Sequence, residues 1–328
     1  MNSRPHMAAR INPEPAGPDL IDLRHISARD LEPLLHEEVS VWREDLDWEF
    51  EKSADLVRRF VDLRALSGHA LLVRGRPVGY LYYVLEENKG LVGDLYLSPP
   101  HRNAANEDLL LGAGIDSIME CAQVARIESQ LLMLSHSPAR ILPYAEFVEA
   151  HDRNFMRIDL RTADLGPGNV RHPMYLETWS DHYHEGAAQV IAAAYGGHID
   201  SRINDQYRSV GGARRFLFNI VQYPGCGAFF RPASYAAFEP NGRLCGISLA
   251  SLVAPQCGHI TQICVSPEVR GTGIGHALLR QSLTTLRDMG CQAASLTVTD
   301  ANRGAVALYE RVGFHIVRQF SAYAWEGF

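Results

Sequence analysis

The chain has 328 residues, a net charge of −7 and 46% hydrophobic residues, with a mean hydropathy of −0.13 and a pI near 6.0. This length is enough for two domains of roughly 100–200 residues each. Disorder throughout the chain is excluded, because disordered chains combine few apolar residues with a high net charge. The negative net charge argues against non-specific binding of nucleic acid, which requires a basic surface.

Residues 1–18 are rich in Pro, Arg and Asn and lack the apolar stretch of a signal peptide, so we predict a disordered lead-in. No segment reaches the roughly 18 consecutive apolar residues that a membrane span needs, and we expect no membrane partner. The six cysteines are scattered without any C-x-x-C pair, which favours reduced thiols in the cytoplasm over disulfides or a zinc ribbon. We therefore expect no metal.

An internal repeat relates the two halves of the chain at an offset of 168 residues. Residues 92–99 (VGDLYLSP) and 260–267 (ITQICVSP) are both alternating apolar strands that end in Ser-Pro. Apolar residues with helical spacing follow each strand at matching positions. These positions are Leu111, Ile115, Ile118 and Cys121 in the first half, and Leu279, Leu283, Leu286 and Met289 in the second. A Gly/Pro cluster at 165–169 predicts the boundary between a domain at 19–165 and a second at 170–328.

The turn between strand and helix differs between the halves. Residues 101–108 (HRNAANED) contain no glycine, whereas residues 269–276 (VRGTGIGH) contain three, and Glu107 matches Gly275. Glycines let backbone N–H groups converge on an anion, and the N-terminus of the following helix adds a partial positive charge. The second turn therefore predicts a phosphate or pyrophosphate site beside Arg270, and the first turn does not. The spacing of the glycines in the second turn fits neither the P-loop motif nor the dinucleotide-binding fingerprint.

The rest of the second half reads as alternating strand and helix. A strand at 258–265 precedes the glycine-rich turn, and Gly290 is placed to end the helix that follows. A strand at 294–298 comes next, followed by turn residues and a short helix at 305–311. The end of the chain, from Gly313 to Trp325, predicts a last pair of strands.

The segment from His259 to Phe314 resembles the GNAT superfamily of acyl-CoA-dependent N-acyltransferases. Residues 270–275 (RGTGIG) match the family's R/Q-x-x-G-x-G/A pyrophosphate motif. Asn302, with ALYE at 307–310 and the following Gly-Phe, is similar to its N-x-x-A-x-x-L-Y-x-x-x-G-F signature. The resemblance implies an α/β (α+β) fold of two tandem GNAT-like domains, each with a mixed, splayed β-sheet flanked by helices.

The resemblance also implies where acetyl-CoA would bind. Its pantetheine arm would enter between strands 258–265 and 294–298, bonded to the backbone near Ile263 and Val265 and to Asn302. The pyrophosphate would lie on the turn. The turn residues are Arg270, Gly271, Thr272, Gly273, Ile274 and Gly275.

The catalytic groups follow from the same resemblance. In relatives the tyrosine that matches Tyr309 lies near the thioester sulfur, where a phenol can protonate the departing thiolate; the alternative is a tyrosine that only packs. Relatives place a general base on the strand where this chain has Thr297. His259 is a candidate base because its usual pKa is near 6.5; a satisfied core histidine and a water relay are the alternatives. Asp200 and Asp205 are candidates to hold a cationic amine or are ordinary solvated carboxylates.

The leading functional hypothesis is direct transfer of an acetyl group from acetyl-CoA to the primary amine of a small molecule in a ternary complex. Cys264 is predicted to be a core residue, so no cysteine serves as a nucleophile. The first half is predicted to bind no CoA and to pack against the active half or wall the acceptor site. The alternatives are a protein N-terminal or lysine acetyltransferase and a non-catalytic acyl-CoA-binding regulatory module. The oligomeric state stays open.

Overall fold

The computed structural model describes residues 17–135, 137, 140–166, 168–223 and 225–328, so nearly all of the predicted lead-in lies outside the described residues. The helices are α1 (Ala28–Leu46), α2 (Glu51–Asp62), α3 (Ala104–Met119), α4 (His184–Tyr195), α5 (Asp200–Ile203), α6 (Val210–Gln222), α7 (Ile274–Asp288) and α8 (Arg303–Val312). In the described part of the chain, none of these helices is long and apolar enough to cross a membrane.

The strands of both halves form one continuous sheet. They are β1 (Asp19–Asp22), β2 (Ser67–Val73), β3 (Arg76–Glu86), β4 (Lys89–Leu97), β5 (Arg126–Gln130), β6 (Val148–Asp159), β7 (Tyr175–Thr178), β8 (Ala228–Phe229), β9 (Tyr235–Phe238), β10 (Leu244–Ala254), β11 (Cys257–Val265), β12 (Ala293–Thr299) and β13 (His315–Glu326). Their order is β1-β2-β3-β4-β5-β13-β6-β12-β11-β10-β9-β7, with β8 beside β10. The β4–β5 and β11–β12 pairs are parallel and the other neighbours antiparallel, so the sheet is mixed, as predicted.

The predicted repeat is confirmed in the local geometry of the two halves. Strands β4 and β11 begin and end at positions 168 residues apart. Each carries a register shift at the same place, which leaves Gly93 unpaired in β4 and Thr261 unpaired in β11. Each is also parallel to its neighbour over only four residues before the two strands separate. A β-bulge bends its strand, and in each half the pairing with the parallel neighbour ends just before the bulge, so each half has a splayed sheet.

The halves exchange their last strands. Strand β6 of the first half pairs with β12 of the second, and β13 of the second half pairs with β5 of the first. The two exchanged strands also pair with each other along ten residue positions. The sequence predicted a pair of strands at the end of the chain; this prediction is wrong, because β13 is one continuous strand and its hairpin partner is replaced by β6.

The exchanged strands complete the core of the opposite half. Met156 and Ile158 on β6 are buried in the cluster formed by α7, α8 and β12. Tyr323 and Trp325 on β13 are buried in the cluster formed by α3 and the first-half strands. Removing large apolar side chains from a core costs about 2–5 kcal/mol each. The boundary at 165–169 therefore divides the sequence, but it does not divide the structure into two self-sufficient cores.

Helices cover both faces of the sheet. In the first half α1 and α2 lie on one face and α3 on the other. In the second half α4 and α6 lie on one face and α7 and α8 on the other. The segment between α1 and α2 also reaches the second half, where Trp48 contacts the ring of His259 at 5.1 Å between centroids. The first half therefore covers the part of β11 that is still paired with β12.

A fragment comparison tests the exchange. We expect residues 168–328, expressed alone, to aggregate or to unfold without a sharp transition, because β12 loses its neighbour and the core loses Met156 and Ile158. Residues 148–328 retain β6 and serve as the matched fragment. Soluble yield and the cooperativity of thermal unfolding measure the difference. Equal behaviour of the two fragments would show that the exchanged strand is dispensable.

Candidate functional site

A cavity of about 1020 Å³ opens where β11 and β12 separate. Of the residues predicted to bind the cofactor, those that line it are Ile263, Val265, Arg270, Gly271, Gly273, Ile274, Gly275, Asn302 and Tyr309. Thr272 does not line it; its Oγ1 donates to the carbonyl of Val269 at 2.7 Å and holds the turn closed. The structure therefore brings two sequence motifs, separated along the chain, to one cavity.

The glycine-rich turn has a backbone that other residues adopt with difficulty. Gly271 and Gly273 have φ of +73° and +97°, in the left-handed region. A Cβ on Gly273 would lie 2.4 Å from the carbonyl oxygen of Asn169. From the other side Arg171 donates to the carbonyls of both Gly271 and Thr272, each at 2.8 Å. Because those carbonyls are bound by Arg171, the turn is free to present N–H groups to the cavity.

The start of α7 supplies an anion site. Its N-cap is Gly273, which makes no side-chain cap, so the N–H groups of the first turn stay available to a ligand. Arg270 lines the same end of the cavity and donates to the carbonyl of Ala194 at the end of α4. A Cβ on Gly275 would meet only Val265, at 3.8 Å. Backbone donors, a helix N-terminus and a guanidinium together fit a pyrophosphate.

The opposite wall of the cavity is formed by α8. Asn302 is its N-cap and accepts from the backbone N–H of Ala305 at 3.3 Å. Tyr309 lies two turns along, is 7% exposed and contacts the ring of Phe314 edge-on. Burial, followed by the charge of Asp200, raises the pKa of Tyr309 above its usual range. The phenol is therefore protonated at neutral pH and able to donate.

The structure does not bring His259 to this cavity. His259 lies on the part of β11 that is still paired with β12, opposite Ser295. Its Nδ1 is 2.9 Å from Ser295 Oγ, and its ring lies against Trp48 and Phe155. Burial lowers the pKa of His259 to about 4. The predicted role as general base has no geometric support, because the strands separate only beyond Ile260 and Trp48 covers this stretch.

Several lining residues were missed by the sequence analysis because they lie outside both motifs. Tyr195 and His198, at and after the end of α4, line the cavity. Tyr195 accepts from Gln262 at 3.1 Å, and its ring stacks on Tyr207 at 4.3 Å. Cys264, predicted to be a core residue, also lines the cavity, and burial raises the pKa of its thiol to about 12. A thiol held protonated in this way is a poor nucleophile.

The matching turn of the first half is filled by the protein's own side chains. Asn103 caps α3 by accepting from the backbone N–H of Asn106 at 3.0 Å. Glu107 is 1% exposed and accepts from Arg140 and from the backbone N–H and hydroxyl of Ser135. Glu107 matches Gly275 in the repeat, so a buried ion pair takes the place of open backbone donors. Tyr144 does not reproduce Tyr309: it is partly buried at a turn and donates to Asp116.

Comparison with known proteins agrees with this geometry. Residues 203–314 match the model of the acetyltransferase (GNAT) family. The chain contains a GNAT acetyltransferase domain. It is 36% identical over 86 residues to a mycothiol acetyltransferase of Thermomonospora curvata, covering 26% of this chain and 29% of that protein. A mycothiol acetyltransferase of Streptomyces coelicolor is 34% identical over 87 residues, covering 26% and 28%. The matches therefore span less than a third of these relatives.

Similar solved structures extend over both halves. A GCN5-related N-acetyltransferase from Sphaerobacter thermophilus has a TM-score of 0.67 and 18% identity, covering 94% of this chain and 95% of that one. A tandem GNAT protein from the clavulanic acid biosynthesis pathway has a TM-score of 0.59 and 16% identity, covering 94% and 98%. The predicted fold, two tandem GNAT-like domains, is thereby confirmed. Within the described residues no group of three His, Cys, Asp or Glu side chains is arranged to hold a metal ion.

A substitution that copies the first half into the second tests the pyrophosphate site. We expect Gly275→Glu to weaken acetyl-CoA binding at least 100-fold, about 2.7 kcal/mol, because a carboxylate would face a pyrophosphate of like charge. Gly275→Ala is the matched control and should change affinity less than about threefold, since its Cβ has room beside Val265. Calorimetric titration with acetyl-CoA measures both. Retained affinity in Gly275→Glu would place the pyrophosphate elsewhere.

The position of His259 gives a second prediction. We expect His259→Gln to keep turnover within about threefold of the parent protein, because the side chain lies outside the cavity. The substitution should instead lower the melting temperature, since it disturbs the contacts with Trp48 and Ser295. Release of CoA thiol and thermal unfolding measure the two effects. A loss of turnover without a loss of stability would restore His259 as a base.

Proposed function

We propose that this chain transfers the acetyl group of acetyl-CoA to a primary amine by direct attack in a ternary complex. The observation that carries the proposal is the single cavity between the glycine-rich turn at one end and the hydroxyl-bearing Tyr309 at the other. Ile263 and Val265, on the separated part of β11, would offer backbone groups to the pantetheine arm, and Asn302 would contact it from α8.

The transfer requires three proton movements. The acceptor arrives as R–NH3+ and must release one proton before its lone pair can attack the thioester carbonyl carbon. The C–N bond then forms, the C–S bond breaks, and Tyr309 donates its proton to the departing sulfur. The second proton of the nitrogen restores the phenol. The products are an acetamide, CoA thiol and one proton.

We further propose that the first half, residues 19–165, binds no CoA. Glu107, Arg140 and Ser135 satisfy one another where the second half has an open turn. In the first half, α3 is capped by Asn103, whereas α7 is uncapped. The described residues between β5 and β6 form no helix that would match α8. The first half therefore lacks a counterpart of the open glycine-rich turn, of the uncapped N-terminus of α7 and of helix α8, which line the cavity of the second half.

A small-molecule acceptor is favoured over a protein. Two relatives that match part of the second half are named mycothiol acetyltransferases, and mycothiol is a small molecule. The end of β12 is flanked by β6 of the first half and by α5, which supports an acceptor site enclosed by both halves. A protein lysine or N-terminus would have to enter between these walls.

Stoichiometry is the first test of the proposal. We expect calorimetry to give one acetyl-CoA site per chain, and release of CoA thiol with at least one amine of a panel. Suitable amines are n-butylamine, glucosamine, spermidine and an acetyl-capped lysine tripeptide. Two sites would show that the first half is functional. Binding without thiol release from any amine would replace the transferase with a non-catalytic acyl-CoA-binding module, and fastest release with the tripeptide would favour a protein acceptor.

The role of Tyr309 gives a separate prediction. We expect Tyr309→Phe to lower kcat about 100-fold or more, the usual range for loss of a general acid, and to change acetyl-CoA affinity less than threefold. Tyr144→Phe is the matched control, because that phenol lies in the first half and donates to Asp116. Steady-state kinetics and calorimetry separate the two effects. Unchanged kcat would reduce Tyr309 to a packing residue.

A further inference from the structure

A mostly buried carboxylate without a cationic partner lies beside the cavity. Asp200 begins α5, and its side chain is 15% exposed. It accepts from Thr299 Oγ1, and its Oδ2 is 3.6 Å from His198 Nδ1. Across the described residues, no Lys or Arg nitrogen lies within 4.0 Å of it. Because buried carboxylates are normally paired with a cation, Asp200 is available to a cation brought by a ligand.

Asp205, five residues further along, shows the contrasting case. Its Oδ1 lies 2.6 Å from Nζ of Lys89, a residue of the first half that is 5% exposed. Glu128 and Glu86 are also within reach of Lys89, at 3.3 and 3.9 Å. The charge of Asp205 is therefore used in the interface between the halves. The two carboxylates predicted together from the sequence have different surroundings.

Asp200 is close to the reacting end of the cavity. His198, whose ring accepts from the backbone N–H of Asp200 at 3.2 Å, lines the cavity together with Tyr309. Burial raises the pKa of the phenols of Tyr309, Tyr207 and Tyr195, and the negative charge of Asp200 raises each of these pKa values further. A cation held at Asp200 would thus lie within electrostatic reach of Tyr309, the proton donor proposed for the thioester sulfur.

The exchanged strand brings a histidine to the same place. In the register of β6 and β12, Arg153 lies opposite Thr299, the residue that contacts Asp200. Side chains alternate along a strand, so His151 lies on the same face as Arg153, two residues further along. His151 is 6% exposed, and its Nε2 has no hydrogen-bond partner among the described residues. Glu149 Oε2, 3.6 Å away, lies beyond hydrogen-bond distance of Nε2, so this nitrogen makes no hydrogen bond that a proton from a ligand would have to replace.

Burial favours the neutral form of His151. Burial lowers its pKa below the usual range, and the cations Arg202 and Arg153 act in the same direction. Glu149, whose Oε2 is 3.6 Å from Nε2, and Asp200 oppose them without reversing the shift. A neutral imidazole at pH 7 can accept a proton, whereas an imidazolium cannot.

We propose that Asp200 binds the ammonium group of the acceptor and that Nε2 of His151 receives its proton. The inference rests on the proposed acetyl transfer and specifies its acceptor: a small aliphatic amine that is cationic at neutral pH. One N–H bond of R–NH3+ breaks, the proton forms a bond to Nε2, and the lone pair left on nitrogen attacks. The imidazolium then releases its proton to solvent. The acceptor site is therefore shared between the halves.

A pair of matched substitutions tests Asp200. With the panel amine that turns over fastest, we expect Asp200→Asn to raise KM for the amine at least tenfold and to leave acetyl-CoA affinity within twofold. Asp205→Asn on the same segment should change KM less than threefold, because Lys89 keeps Glu128. Asp200→Glu should recover part of the lost KM, which distinguishes loss of charge from loss of structure. An unchanged KM in Asp200→Asn overturns the assignment.

The pH profile tests His151. In the parent protein, kcat/KM should fall as the pH drops through the pKa of His151, below the usual histidine value near 6.5, because the protonated ring cannot accept. We expect His151→Gln to lower kcat at least 100-fold, to keep KM within threefold and to abolish this acidic fall. A glutamine that merely disturbed packing would lower the melting temperature and leave the acidic fall in place, which would overturn the role of His151.

The two proposals fail in different ways. If acetyl-CoA binds and no panel amine releases CoA thiol, the proposed function is overturned and the acceptor site with it. If an amine turns over normally in both Asp200→Asn and His151→Gln, the transferase stands and the shared acceptor site is wrong.

Discussion

The separation of β11 from β12 beyond Ile260 is the constraint on which the rest of the site depends. The two parallel strands are paired over four residues and then part at the register shift that leaves Thr261 unpaired. This separation leaves backbone N–H and C=O groups near Ile263 and Val265 without hydrogen bonds from a neighbouring strand on that side. Buried backbone groups of this kind need a hydrogen-bond partner. The 1020 Å³ cavity lies in this gap. An extended ligand arm with amide groups is the natural occupant, since it supplies the missing strand.

The two halves share one local geometry and differ at the turn that follows the parallel strand. The first half retains the same strand ends, the same register shift and the same separation. Its turn has a buried Glu107–Arg140 pair where the second half has Gly275. A buried pair of this kind satisfies its own charges and leaves no donors for an anion. Its last strand, however, completes the second sheet and brings His151 within electrostatic reach of Asp200.

Two histidines that are equally buried differ in what surrounds them. His259 and His151 are both 6% exposed, and burial lowers the pKa of both. His259 has Ser295 and an aromatic contact with Trp48, so its polar atoms and its ring are satisfied within the core. His151 has an unpartnered nitrogen and charged neighbours. The two rings therefore differ in the partners of their polar atoms and not in their burial.

The sequence by itself determined the repeat, the glycine-rich turn and the α8 signature, because each is a local pattern whose backbone follows from a few neighbouring residues. Gly273 needs its left-handed φ wherever the fold places it, and Asn302 caps α8 from its position in the chain. Only the tertiary structure decided that the last strands are exchanged, that Trp48 covers His259, and that His151 lies near Asp200. These contacts join residues about 50 to 200 positions apart. These contacts depend on which strand edges and which helix and sheet faces remain without a partner after the local elements have formed. The spacing of residues along the chain does not predict that pairing.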